Sequence, residues 1–261
     1  MLLNYYTLAY GRYFWEIKMG SNRYFVLDAI RGIAILNMIV YHAVWDLVHL
    51  FGWKWFQADA SYIWQQSICW TFIFISGFCQ SLGRQRLKRG ITVLLCGCLV
   101  SLVTIIAMPQ QPILFGVLTL IGSCMLLMIP LDNIFKRCNP LAGFLTNMAL
   151  FFITRNINQG FLGFGTWKFL KLPNSWYRNP LTAYLGFPTK SFHSVDYFSL
   201  FPWMFLFIAG YFLYRFMQRK NLLDWLGHSR IKAVEWLGRH SLVIYVIHQP
   251  IVYFILLGIL H

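Results

Sequence analysis

Seven runs of apolar residues dominate the chain, at about 26 to 51, 61 to 83, 91 to 108, 112 to 130, 140 to 157, 197 to 217 and 240 to 260. As helices rising about 1.5 Å per residue, such runs match a hydrocarbon layer about 30 Å thick. Lipid offers a backbone no partner but itself, so the pattern predicts an all-α, polytopic transmembrane helical bundle of about seven spans, with no need of strands. Pro109, Pro112, Pro130 and Pro140 punctuate the short connections. One connection breaks this economy: residues 158–196 hold Gly160, Gly163, Gly165, Pro173, Pro180 and Pro188 among Trp167, Trp176, Tyr177, Tyr184 and Phe192. A loop of this length suits an acceptor-binding cap, and its aromatics equally suit a belt at the headgroups. Residues 1–25, which include Arg12, Glu16 and Lys18, lack the compact apolar core of a cleavable signal and read as an interfacial N-terminal segment. Residues 26–261 read as one transmembrane domain.

Composition agrees, because a pool that is 58% hydrophobic and 11% charged cannot furnish an ordinary soluble surface. A formal net charge of +14 would suggest nucleic acid in a soluble protein, but its distribution here argues otherwise. Arg12, Lys18, Arg23, Arg84, Arg86, Lys88, Arg89, Lys136, Arg137, Arg215, Arg219, Lys220, Arg230, Lys232 and Arg239 fall on one side of the seven-span arrangement. Lys54, Arg155, Lys168, Lys171, Arg178 and Lys190 fall on the other, and Arg31 lies inside a span. The insertion bias for Lys and Arg then places the N-terminus in the cytoplasm and the C-terminus outside. Anionic lipid or an anionic cofactor accounts for the rest of the excess. Six cysteines lie in or beside apolar runs, and Cys96 and Cys98 would stand about 200° apart on a helix, so neither a metal site nor a disulfide framework follows.

The first run carries the chemistry: Asp28, Arg31, His42, Asp46 and His49 interrupt it. Ionisable groups inside a membrane cost about 2.5 to 3.5 kcal/mol each at the centre of a span and mark function. At 100° per residue Arg31 and His42 share a face about 16 Å apart in height, and Asp28, Asp46 and His49 continue the stripe. Gly32 beside it admits a close neighbour. An Asp four residues after a His suits a general base whose ring it orients, so His42 and Asp46 are candidate catalytic residues. Near the cytoplasmic end, Arg31 would either meet a phosphate or pair structurally with Asp28.

The stretch RYFVLDAIRGIAILNMIVYHAVWDL, Arg23 to Leu47, resembles the opening signature of the small bacterial membrane proteins grouped with the catalytic domain of heparan-alpha-glucosaminide N-acetyltransferase. It is also similar to the arginine, ten residues, histidine motif of acyltransferase family 3. TFIFISGFCQSL at 71–82, DYFSLFPWMFLFIAGYFL at 196–213 and EWLGRHSLVIYVIHQPIV at 235–252 agree in kind, so the resemblance covers almost the whole chain. It implies a transmembrane acyltransferase of the bacterial cytoplasmic membrane that takes acetyl-CoA as co-substrate from the cytoplasm. The acceptor would be a hydroxyl or amine of an extracytoplasmic glycan or other small molecule. His42 matches the catalytic histidine of the family 3 motif, with Asp46 and Arg31 beside it. In the eukaryotic heparan enzyme an asparagine holds the place of His42 and the histidine falls later, near Trp53 here, so the framework carries over rather than the sugar specificity.

With no P-loop or Rossmann glycine pattern present, basic side chains are left to hold the CoA phosphates. Asp28, Arg31, Arg84, Arg86, Arg215 and Arg239 form the expected cofactor-binding set. Trp45, His49, Trp203 and His248 are the expected acceptor contacts, although His248 beside Pro250 also suits a packing or kink role. Membrane lipid and a second copy of the chain in a homodimer complete the expected partners; neither metal nor nucleic acid is expected. The alternative function is a small-molecule or lipid-linked transporter using the same polar stripe as a relay, which the absence of an inverted repeat disfavours.

Overall fold

The computed structural model describes residues 24–49, 52–53, 58–83, 85–227 and 231–260. Among them are eight α-helices: α1 Phe25–His49, α2 Ala58–Phe78, α3 Arg86–Ala107, α4 Val117–Phe135, α5 Pro140–Ile153, α6 Leu200–Arg219, α7 Lys232–Arg239 and α8 Ser241–Leu260. Five are long and apolar enough to cross a membrane, namely α1, α3, α4, α6 and α8. The other two apolar runs also form helices and fall short for separate reasons. Gln65, Gln66 and Ser67 dilute α2, and the 14 residues of α5 rise only about 21 Å.

Two elements depart from the sequence reading. The basic stretch after α6 contains α7, whose buried residues are Glu235 and Gly238. Within the 158–196 connection, β1 (Phe161–Phe164) and β2 (Trp167–Lys171) form an antiparallel hairpin with Phe164 opposite Trp167. The expectation of helices alone is corrected there. Gly165 opens the tight turn at φ +58, a backbone region that side chains other than glycine enter at a cost. The segment is therefore an ordered piece rather than a structureless loop.

Small residues let the helices touch backbone to backbone. A Cβ at Gly77 of α2 would collide with the carbonyl oxygen of Phe207, and one at Gly210 of α6 with that of Phe74. Between α1 and α7, a Cβ at Gly32 would strike the Val234 carbonyl and one at Gly238 the Asp28 carbonyl. Dispersion contacts drive helix association in lipid, and these approaches maximise them. The largest core cluster gathers Ile73, Leu120, Phe151, Trp203, Phe207 and Tyr211. A smaller one joins Ile35, Met38, Tyr41 and Ile68, flanked by Trp45, Trp64 and Tyr245.

From α1 to α6 successive helices alternate in direction, so the bundle has two distinct ends. At one, the buried carboxylate of Asp132 accepts hydrogen bonds from Arg86 Nη1 at 2.5 Å, Tyr211 Oη at 2.6 Å and Lys136 Nζ at 2.8 Å. Arg215 donates to the final carbonyls of α4, at Phe135 (2.5 Å) and Lys136 (3.0 Å). Gln80 donates to the Met125 carbonyl at 2.9 Å. These bonds tie α2, α3, α4 and α6 together at what we term the basic end. The 154–199 segment covers the opposite, hairpin end.

Replacing Asp132 by Ala is expected to lower unfolding stability in detergent by about 2–3 kcal/mol, because it strands Arg86 and Tyr211. The partial solvent access of Arg86 and Lys136 keeps this below the about 3–5 kcal/mol of a fully buried pair. Lys136→Ala is expected to cost under about 1 kcal/mol. Equal losses in denaturant titrations of the two variants would contradict this hub.

Candidate active site

The polar stripe of α1 meets α7 at its lower half and α8 at its upper half. Near the start of α1, Asp28 lies buried with Arg31 at 3.8 Å. The glycine contact with α7 brings the α7 backbone against this pair. Three turns further, His42 faces His248 of α8 with ring centroids 4.9 Å apart and a tilt of 57°. The Tyr41 ring stands 5.5 Å from His42 and the Tyr245 ring 5.6 Å from His248.

The tautomer of His248 follows from its partner. Its Nδ1 lies 2.6 Å from the carbonyl oxygen of Tyr245. A carbonyl only accepts, so Nδ1 carries the proton and Nε2 holds the lone pair. That Nε2 is buried and has no hydrogen-bond partner among the described residues. Among the described residues, no hydrogen bond reaches the half-buried His42 ring either. Two imidazoles thus face each other, one of them with a basic nitrogen fixed in place.

Asp46 acts differently from the sequence expectation. It is fully buried, and Gln249 Nε2 donates to both of its oxygens, at 2.9 and 3.1 Å. Asp46 therefore does not hold the His42 ring; it fastens α1 to α8 one residue beyond His248. His49, exposed at the end of α1, stacks on Trp45 with centroids 4.3 Å apart. Its Nδ1 lies 3.0 Å from the Trp45 carbonyl. Trp203 is buried in the main core against Phe198, Phe151 and Trp70, away from the histidine pair.

The expected cofactor arginines separate in the same way. Arg84 lies outside the described residues. Arg86 and Arg215 are engaged by Asp132 and by the α4 carbonyls, which leaves them structural tasks. Arg239 is exposed, with Nε 3.4 Å from the Glu235 carbonyl. Arg31 lies within electrostatic reach of Arg89, with Cys79 beside both. Arg89 is a residue that sequence reasoning left inside a general basic cluster. Its spacing of three from Arg86 on one helix was the available signal.

Asp196 was also missed. It sits just before the N-terminus of α4 in space, where its carboxylate accepts from the Val117 N–H. It lies within electrostatic reach of Tyr41, Cys69 and Tyr245, the groups around the histidine pair. Burial pushes its carboxyl up to about 6, and the Val117 N–H opposes that rise without cancelling it. Nearby, burial drives the Tyr197 hydroxyl up to about 12. A lone Asp opening DYFSLFPW was the sequence signal, obscured by its place at the end of a long connection.

The raised carboxyl favours the protonated form in the folded protein. Its contribution is present in acid and is lost as pH rises from the ordinary carboxylate range, about 4, to about 6. Thermal unfolding of the wild type in detergent should therefore lose stability across that window relative to Asp196→Asn, which cannot ionise. Parallel pH profiles for the two proteins would show that Asp196 ionises freely.

Residues 23–250 match the sequence model of the family described as heparan-alpha-glucosaminide N-acetyltransferase, catalytic. The matched stretch begins just before α1 and reaches Pro250 of α8, so it includes both histidines. No curated protein and no solved structure matches the chain.

Proposed function

We propose that this chain, which belongs to the heparan-alpha-glucosaminide N-acetyltransferase catalytic family, transfers an acetyl group from cytoplasmic acetyl-CoA to an acceptor on the far side of the membrane. The family and the five membrane-crossing helices make it an integral membrane acetyltransferase at the general level. The donor, the acceptor and the residues in the reaction are our reading. Residues 26–261 act as one catalytic domain in a bacterial cytoplasmic membrane, with the basic end facing the cytoplasm, as the distribution of Lys and Arg favours.

The observation that carries the reading is the facing pair His42 and His248, 4.9 Å apart inside a helical membrane protein. The thioester is delivered to this level from the basic end. There Arg31 and Arg89 hold phosphate groups of CoA through charge-assisted hydrogen bonds, with exposed Arg239 at the rim. His42, half-buried and free of hydrogen bonds from the described residues, takes the proton from a hydroxyl or amine of a glycan or similar small acceptor. The acceptor oxygen or nitrogen attacks the thioester carbonyl, the C–S bond breaks, and the CoA thiolate leaves with the proton. The lone pair on His248 Nε2 supports the charge that His42 gains. Asp46, through Gln249, sets the distance between the two rings; it is a positioning residue.

Purified wild-type protein in detergent should bind acetyl-CoA in calorimetry, and His42→Ala should keep that binding. Arg31→Ala and Arg89→Ala should bind roughly tenfold or more weakly, since each removes charge-assisted hydrogen bonds. With radiolabelled acetyl-CoA and membrane vesicles that contain the natural acceptor, His42→Ala should lower transfer by roughly 10²- to 10⁴-fold. Failure of the wild type to bind any acyl-CoA would move the reading to a transporter that uses the polar stripe as a relay.

A further inference from the structure

A cavity of about 620 Å³ opens at the hairpin end, lined by Tyr62, Gln66, Trp70, Arg155, Gln159 and Phe164 among others. Its volume lies inside the range of about 300–1,000 Å³ common for ligand pockets. It is separate from the histidine pair. Residues 62, 66 and 70 share one face of α2, whereas Trp64, which packs on Tyr41 at 5.5 Å, points about 200° away from Gln66. The helix α2 therefore stands between the two sites.

Arg155 dominates this cavity. Its Nη2 donates to Gln66 Oε1 at 2.7 Å and to Tyr62 Oη at 3.0 Å. Its guanidinium lies 4.5 Å over the Trp203 ring. Both hydrogen-bond partners are neutral, and no carboxylate of the described residues lies within ion-pair distance. Burial lowers the pKa of the group, the direction expected of a cation taken out of water. Among the described residues Arg31 and Arg86 each have an aspartate and Arg155 has none. A guanidinium has five N–H donors in a planar fork, and the groups on Nη1 and Nε remain for an acceptor. Beside the polar Ser67, Asn156 and Gln159, the lining offers apolar surface at Ile63, which is 69% exposed, at Trp70 and at Phe164, 44% exposed, so an occupant meets hydrocarbon as well as charge. The cavity spans the first turns of α2 and the hairpin tip at Gly165, the level at which a headgroup would sit beside its chains.

We infer that this cavity is a binding site for the anionic headgroup of a membrane amphiphile, a phosphate or carboxylate held by the N–H groups of Arg155 that Gln66 and Tyr62 leave open, with its apolar body along Ile63, Trp70 and Phe164. The inference does not depend on acetyl transfer. Gln66→Glu is the informative variant, because it keeps the shape of the side chain and supplies an internal anion to the same guanidinium, which removes the need for an anionic ligand.

Native mass spectrometry of the full chain, titrated in micelles with phosphatidylglycerol or phosphatidylcholine, tests it. The wild type should prefer phosphatidylglycerol roughly tenfold or more, and Arg155→Ala should bind it roughly ten- to hundredfold more weakly. Gln66→Glu should lose the preference while raising the melting temperature of the lipid-free protein. His42→Ala should keep the preference, which separates this site from the proposed chemistry. Equal binding of the two lipids by the wild type, or an unchanged preference in Gln66→Glu, would overturn the inference. Displacement of phosphatidylglycerol by inorganic phosphate at equal concentration would overturn the amphiphile and assign the site to a free oxyanion.

Discussion

Hydrocarbon cannot donate or accept a hydrogen bond, so each polar side chain inside the spans must be answered from within the protein. Much of the architecture follows from how those obligations are met. Asp132 is answered three times, by α3, by α6 and by its own helix. Asp46 is answered twice by one amide of α8, and Gln80 reaches a main-chain carbonyl of α4. Each polar group thereby becomes a pin between helices that apolar packing alone would leave free to slide. The groups left unanswered stand out against this background. His248 Nε2 is one, and it faces His42.

Close approach does the remaining work of association. Lipid tails are as apolar as Leu, so burying Leu against Leu gains little in a bilayer, whereas bringing two backbones together gains many contacts. Gly77 with Gly210, Gly97 with Gly122, and Gly32 with Gly238 are positions at which the bundle exploits this; the last pair lies between α1 and α7. That pair also serves the site, because it presses α7 against the Asp28–Arg31 end of the polar stripe. A methyl group at either position would move that end of α1 relative to the histidines above it.

The helical bundle was largely legible in the sequence, since apolar runs record the thickness of the membrane directly. The polar stripe was legible too: Asp28, Arg31, His42, Asp46 and His49 follow from helical geometry within one run. What sequence spacing could not reveal was pairing at a distance. Asp46 looked like the partner of His42 because it is four residues away, yet its partner is Gln249, 203 residues away. Arg86 and Arg215 looked free for phosphate because a sequence displays charge without its counter-charge, and Asp132 passed unnoticed as a lone acid in an apolar run. The hairpin and α7 were hidden for a related reason. Both are short, and their apolar or charged residues were ascribed to a headgroup belt and to insertion bias.

The contact of α1 with α7 and α8 joins the first described span to the last. A ribosome feeds helices into the membrane in chain order, so α1 enters with Asp28 and Arg31 close together on its own surface and waits for its other partners while the remaining helices are inserted. Until α7 and α8 follow, Asp46 lacks its amide and Asp28 lacks the neighbouring backbone. The bundle can close around the histidines only once α8 is inserted, so the site cannot assemble on α1 to α6 alone. A chain that stalls before α8 would hold an apolar core of α2 to α6 but no facing imidazoles, and Asp46 would stand in the span without the amide that answers it.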